Sequence, residues 1–287
     1  MFNTETYLDS LPEDTEQIDV SRQEINYLNV TRFKKLKILH CEYNKLTSLH
    51  LNENLEELYC YNNRLTYLRP FEKLEQLYCS NNKLTSLRLN KNLKTLYCND
   101  NKLSSLRPLE NLQILSCCDN KLSALHLNEK IERLYCNQNQ LTSLHLNATL
   151  ESLDCNNNQL TSLHLNEKLQ YLSCYNNRLT SLNLNENLKY LFCTHNRLTS
   201  LHLNENLQYL FCSNNPISEI IGDNAIKQAK ILNNFRFLYY SLKFKKRLRD
   251  WLWVKIREPK IREMYSHDYL VEHLHEETDL DELLENW

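Results

Sequence analysis

Ten cysteines stand 19 residues apart: Cys41, Cys60, Cys79, Cys98, Cys117, Cys136, Cys155, Cys174, Cys193 and Cys212. Thiols can cross-link, hold a metal or attack a substrate, so the spacing has to be weighed against each. Equivalent residues on neighbouring parallel strands sit about 4.8 Å apart. A disulfide needs Cβ atoms about 3.8 Å apart and a specific torsion, so bridging down such a row would strain it. Zinc sites draw ligands from close pairs of the C-x-x-C type, which the sequence lacks. Free cysteine packs as a small hydrophobe, and packing is the role this spacing predicts. So many free thiols suit a reducing compartment. Cys118 lies off the row, at a position that should face solvent, and is the one candidate for a reactive thiol.

Other residues keep the same beat. Leucine stands two before each of these cysteines, from Leu39 to Leu210, and asparagine three after, from Asn44 to Asn215. The unit reads L-x-x-L-x-C-x-x-N-x-L-T-S-L-x-L-N-x-x. Its Leu-x-Cys core alternates with the strand period, so leucine and cysteine point inward and the residue between them outward. The asparagine ends the strand, and its amide is suited to satisfying buried backbone groups in the turn. A second row, of Ser or Thr, runs from Thr47 to Ser218. Nineteen residues leave too little chain for a multi-turn helix on the return path.

A fixed period of this length marks stacked supersecondary units. The unit resembles the leucine-rich repeat, with cysteine at the third apolar position of L-x-x-L-x-L-x-x-N-x-L, over roughly residues 15–221. The resemblance implies an arc with a parallel sheet on its concave side and a protein-binding role. The expected fold is therefore an α/β repeat solenoid with little convex helix. Residues 1–35 form an acidic N-terminal cap in which Ile18, Val20, Ile25, Leu28 and Val30 sketch a degenerate first repeat. Residues 36–221 hold the ten repeats, and 222–287 a helical C-terminal segment.

That last segment separates its charges, with a basic and aromatic run at 242–262 and an acidic end. One reading is a nucleic-acid or anionic-membrane patch; the other is an acidic tail docked on a basic helix. The near cancellation of charge favours the second, and nucleic acid is not the expected partner. The segment resembles a C-terminal tail recurring in proteins of amoeba-infecting giant DNA viruses of the mimivirus and marseillevirus type, through WLWVKIREPKI and DLDELLENW. This resemblance points to a viral protein in a host cytoplasm, with a structural virion component as an alternative reading, and brings no known activity.

The remaining classes narrow quickly. A net charge of -2 gives no whole-chain field for nucleic acid or membrane. The lone glycine, Gly222, excludes glycine-rich phosphate loops. The N-terminus lacks the basic start and apolar run of a signal peptide, so the chain is expected inside a cell and not secreted. No paired carboxylates, nucleophile–base pair or metal-ligand spacing suggests an enzyme or a cofactor. Bacterial ubiquitin-ligase effectors join similar LTSL repeats to a catalytic cysteine domain, but no cysteine follows Cys212.

The function expected is therefore a scaffold that binds a protein partner through its outward strand positions, three before, one before and one after each cysteine of the row. The residues expected to make contact are Tyr59, Tyr61, Tyr78, Tyr97, Tyr135, Tyr171, Tyr175, Tyr190, Phe192, Tyr209 and Phe211. Aromatic side chains give large contact area for little lost side-chain entropy. They also suit an exposed sheet by stacking on one another, which is the competing explanation. A basic row (Lys45, Arg64, Lys83, Lys102, Lys121, Arg178, Arg197) reads as a solvated rim. His126, His145 and His164 alternate with arginines at equivalent positions, which argues against a metal site there.

Overall fold

The sequence period becomes a pitch of one strand per repeat. The computed structural model describes residues 3–218, and the expected helical segment at 222–287 lies outside the described residues. Eleven three-residue strands form one parallel sheet in chain order: β1 (Gln17–Asp19), β2 (Ile38–His40), β3 (Glu57–Tyr59), β4 (Gln76–Tyr78), β5 (Thr95–Tyr97), β6 (Ile114–Ser116), β7 (Arg133–Tyr135), β8 (Ser152–Asp154), β9 (Tyr171–Ser173), β10 (Tyr190–Phe192) and β11 (Tyr209–Phe211). Register is fixed by the repeat. Leu39 pairs with Leu58, Leu58 with Leu77, and so on to Leu191 with Leu210. The degenerate first repeat supplies β1, with Val20 in the place of the ladder cysteine and fully buried.

Alternation works as the strand period requires. From β2 to β10 the central leucine and the cysteine after it are buried, while most of their neighbours stay partly open. Burial pushes the ladder thiols far above their usual pKa, Cys79 to about 12. Such thiols stay protonated and pack as apolar atoms.

Two asparagine ladders replace the backbone pairing that the turns forgo. In the first, Asn63 Nδ2 donates to the carbonyls of Cys41 (2.9 Å) and Cys60 (3.1 Å), and its Oδ1 accepts from Leu46 N–H (3.0 Å). The pattern repeats to Asn215. The second, on the return side, has no assigned role in the sequence reading. There Asn147 donates to Asn128 O (2.7 Å) and Ile131 O (2.9 Å), and Asn166 does the same one repeat on. Phe71 and Leu109 break this ladder, each after a proline. Arg69 reaches Leu51 O beside the first break. The Ser/Thr row is exposed from Thr47 to Thr199.

Each turn that follows a ladder cysteine also holds one left-handed residue, two after the cysteine. With no glycine there, the position is held mostly by Asn or Asp: Asn62, Asn81, Asp100, Asp119, Asn157, Asn176 and Asn214, with φ between 50° and 55°. These residue types tolerate that region best after glycine. Tyr43, Gln138 and His195 occupy it at a cost.

At the N-terminus a short helix, α1 (Thr4–Asp9), is capped by Asn3, whose Oδ1 accepts from Thr6 N–H at 3.1 Å. The acidic cap is more than a solvated surface. Asp9, Asp14 and Glu16 pair with Arg32 (2.7 Å), Lys35 (3.6 Å) and Lys37 (3.1 Å) of the next turn. These exposed pairs contribute at most about 1 kcal/mol each.

Candidate binding face

Because every strand adds one outward residue at each of three positions, the open face of the sheet is a grid of three columns. The middle column, one before each cysteine, carries the longest aromatic stack. The rings of His40 and Tyr59 lie 4.3 Å apart, Tyr59 and Tyr78 4.5 Å, and Tyr78 and Tyr97 5.0 Å, within 13° of parallel. His40 heads this stack and is missing from the sequence reading, although its position before Cys41 marks it. Tyr61 stands beside the stack, its ring edge-on to Tyr43 at 5.3 Å.

A second cluster fills two columns over β9–β11. Tyr190 stacks on Tyr209 (5.3 Å) and Phe192 on Phe211 (5.2 Å), while Tyr171 leans on Phe192 at 5.6 Å. Tyr209 and Phe211 are 53% and 54% exposed. The structure thus gathers Tyr59, Tyr78 and Tyr97 at one end and Tyr171, Tyr190, Phe192, Tyr209 and Phe211 at the other. Tyr135 stands between the two groups, and Tyr175 follows β9 with its N–H donating to Asn156 Oδ1 (2.8 Å). Stacked pairs contribute about 0.5–1.5 kcal/mol beyond area, so part of the aromatic content serves the sheet itself. The rings remain only half-buried and present their outer edges to solvent.

Polar groups order the face. Tyr59 OH donates to Glu57 Oε2 (2.9 Å), Gln76 Nε2 to Glu57 Oε1 (3.1 Å), and Tyr78 OH to Gln76 Oε1 (3.1 Å). Burial, then the bond to Glu57, pushes the Tyr59 phenol far above its usual pKa. Burial also raises Tyr61, Tyr78 and Tyr171. All four are therefore neutral hydrogen-bonding groups at neutral pH.

Between the aromatic groups the face is polar and internally satisfied. Ser116 Oγ donates to Asn99 Oδ1 (2.8 Å), and Ser173 Oγ to Asn156 Oδ1 (2.9 Å). Asp154 accepts from the side chain and backbone N–H of Asn156. Its carboxyl is raised by burial against the lowering effect of that backbone bond. Cys118 corrects the sequence expectation. It is half-buried, its thiol donates to Asn137 Oδ1 (2.7 Å), and burial pushes its pKa up to about 11. It is held as a thiol and not activated.

Among the described residues no group of three His, Cys, Asp or Glu is placed to hold a metal, and no helix is long and apolar enough to cross a membrane. The basic rim from Lys45 to Arg197 is exposed.

Comparison with known proteins adds a family signal. A model of two leucine-rich repeats matches residues 53–91, and a single-repeat model matches 206–225. No curated protein matches the chain. Among solved structures, the functional domain of InlJ from Listeria monocytogenes, which includes a cysteine ladder, is 27% identical with TM-score 0.57. The match covers 71% of this chain and 59% of that one. YopM from Yersinia enterocolitica WA-314 is 28% identical with TM-score 0.62, over 72% of this chain and 48% of that one. This chain thus spans about half to three-fifths of the length of these two relatives. The complex of latrophilin 3, Unc5D and the leucine-rich repeats of FLRT2 matches at 19% identity, TM-score 0.56, over 72% and 77%, which shows the fold alone. The stretches 53–91 and 206–225 thus match leucine-rich repeats, and the described residues share the fold of these solved structures.

Proposed function

We propose that the chain is a non-enzymatic scaffold that binds a protein partner through the open face of its sheet. The observation that carries this reading is the pair of aromatic clusters, Tyr59–Tyr78–Tyr97 and Tyr190–Tyr209 with Phe192–Phe211, on a face that no other described element covers. A specific complex there would bury roughly 1,200–2,000 Å² in total, which two such clusters joined by a polar strip can offer. The partner is a protein inside the cell in which the chain is made, a host protein if the chain is viral. That the FLRT2 repeats sit in a protein assembly is an instance of this fold in such a role, and carries no partner over.

The test compares proteins captured from lysate by the wild type and by a variant with Tyr78, Tyr97, Tyr190 and Phe192 changed to Ala, once circular dichroism shows the variant folded. Loss of specific partners supports the open face. Retention of the same partners makes the aromatic rows structural and turns attention to residues 227–262, whose basic and aromatic composition is the specific observation behind a nucleic-acid or anionic-membrane reading. Binding of that second kind weakens steeply between about 50 and 200 mM salt.

A further inference from the structure

The two ends of the open face differ in charge. Over β1–β3 the aromatic stack is bordered by Asp19, Glu42 and Glu57, with no Lys or Arg at any outward position of those strands. Over β9–β11 every outward position is uncharged. Off the face, among the described residues, some acids find basic partners: Glu16, Glu24 and Glu75 each pair with a lysine at 2.6–3.1 Å. On the face they do not. Glu57 is held by Tyr59 and Gln76, which fix its carboxylate without neutralising it. Glu42 lies 3.7 Å from the His40 ring and its buried Oε2 accepts no hydrogen bond among the described residues, while the Arg22 guanidinium is placed over the Tyr43 ring at 4.1 Å. The faces of Tyr59 and Tyr78 are taken by the rings stacked on them, so a cation is drawn to this end by the carboxylate charge, through charge-assisted hydrogen bonds.

We infer that the open face takes one extended peptide segment of its partner in a fixed direction, with Lys or Arg side chains over β1–β3 and apolar side chains over β9–β11. This rests on the reading of the open face as the binding site and adds the chemistry of its occupant. Eight strand spacings separate β2 from β10, roughly 38 Å. Extended chain covers about 3.3 Å per residue, so the basic and apolar anchors stand about ten to twelve residues apart. Glu57, bordered by Tyr59 and Tyr78, is the principal cation contact. Phe192 and Phe211 are the apolar floor.

The experiment pans a displayed library of random peptides of roughly 16 residues on the immobilised full chain and on two folded variants. One carries Glu42→Gln and Glu57→Gln; the other carries Phe192→Ala and Tyr190→Ala. Wild type is expected to select peptides with Lys or Arg near one end and Leu, Ile, Phe or Trp near the other. The carboxamide variant should lose the basic preference and keep the apolar one, and the alanine variant the reverse. A selected peptide should bind wild type at least about tenfold tighter than the carboxamide variant, with the gap closing as salt rises. Selected peptides that lack a basic end, or that bind the carboxamide variant equally, overturn the polarity while leaving the open face intact. Selection that neither variant changes, or no enrichment on wild type, overturns the open face itself and this inference with it.

Discussion

Replacing Asn120 by Ala measures what the first asparagine ladder does in the middle of the stack. Its Nδ2 donates to the carbonyls of Cys98 (3.0 Å), Cys117 (3.2 Å) and Cys118 (3.0 Å), and its Oδ1 accepts from Leu103 N–H (3.0 Å). The carbonyls keep other donors after truncation. Cys98 O retains Asn101 and Cys117 O retains Asn139, while Cys118 O retains the backbone N–H of Asp100. Leu103 N–H retains nothing from this ladder and belongs to a fully buried residue. An orphaned buried N–H costs about 1–3 kcal/mol. With about 1 kcal/mol more for the weakened carbonyls, the expected loss is about 2–4 kcal/mol. Asn120→Asp keeps the acceptor but aims a second carboxylate oxygen at carbonyl oxygens. It should cost more at pH 7, with its folded pKa raised, and recover stability as the pH falls and that oxygen gains a proton. The control is Asn111→Ala, a half-buried asparagine about half a repeat earlier in the chain whose amide donates to Lys91 O in a solvent-exposed bond, expected to cost less than about 0.5 kcal/mol. Equilibrium urea unfolding followed by circular dichroism reads all three. Equal midpoints for Asn120→Ala and Asn111→Ala would refute the account of the ladder.

Three further outcomes are expected. Gln138 occupies the left-handed turn position at φ 53°, so Gln138→Gly should raise stability by about 0.5–1 kcal/mol in the same unfolding assay; no gain would mean that the turn bears no strain. Asp154 has its carboxyl raised by burial, so its charged form weakens the fold. Stability from this group is highest below the unfolded pKa and falls as the pH rises through the higher folded value. Asp154→Asn should therefore stabilise at pH 7 by up to about 1 kcal/mol after allowance for solvent screening and flatten that pH slope. Thiol titration should find all eleven cysteines free after unreduced denaturation and nearly all silent in the native chain. Cys118 should react about tenfold more slowly than a free thiol, since its smaller thiolate fraction is partly offset by stronger nucleophilicity. A fast native cysteine would contradict the packing.

The inward half of the fold is plain in the sequence because burial depends on period alone. Leu and Cys two residues apart, repeated every 19, leave one sheet, one register and one buried side. The strand-ending asparagine is legible for the same reason, since a buried polar residue at a fixed place must meet a fixed backbone need. Less legible is what depends on contacts between repeats. The return-side row Asn128, Asn147, Asn166, Asn185 and Asn204 is visible as letters, but its bonds reach the carbonyls of the preceding repeat. The left-handed turn residue was open to inference from Asn and Asp two after each cysteine, yet Tyr43, Gln138 and His195 hide the rule. Alternation alone names the aromatic residues at the outward strand positions. Their division into an early and a late group with a more polar middle is visible in the letters, that His40 heads the first stack follows from ring contacts, and Cys118 departs from its expected exposure because Asn137 and Ser116 close over it.

The most direct measurement titrates a captured partner against wild type and two folded variants, with affinity followed by calorimetry. One variant carries Tyr78, Tyr97, Tyr190 and Phe192 changed to Ala on the open face. The other carries Arg88, His126 and His164 changed to Ala in an exposed row off that face. The account predicts that the face variant binds at least about a hundredfold more weakly, as the loss of several aromatic anchors implies, and that the off-face variant binds as wild type does. Wild-type affinity in the face variant, or the larger loss in the off-face variant, would contradict it.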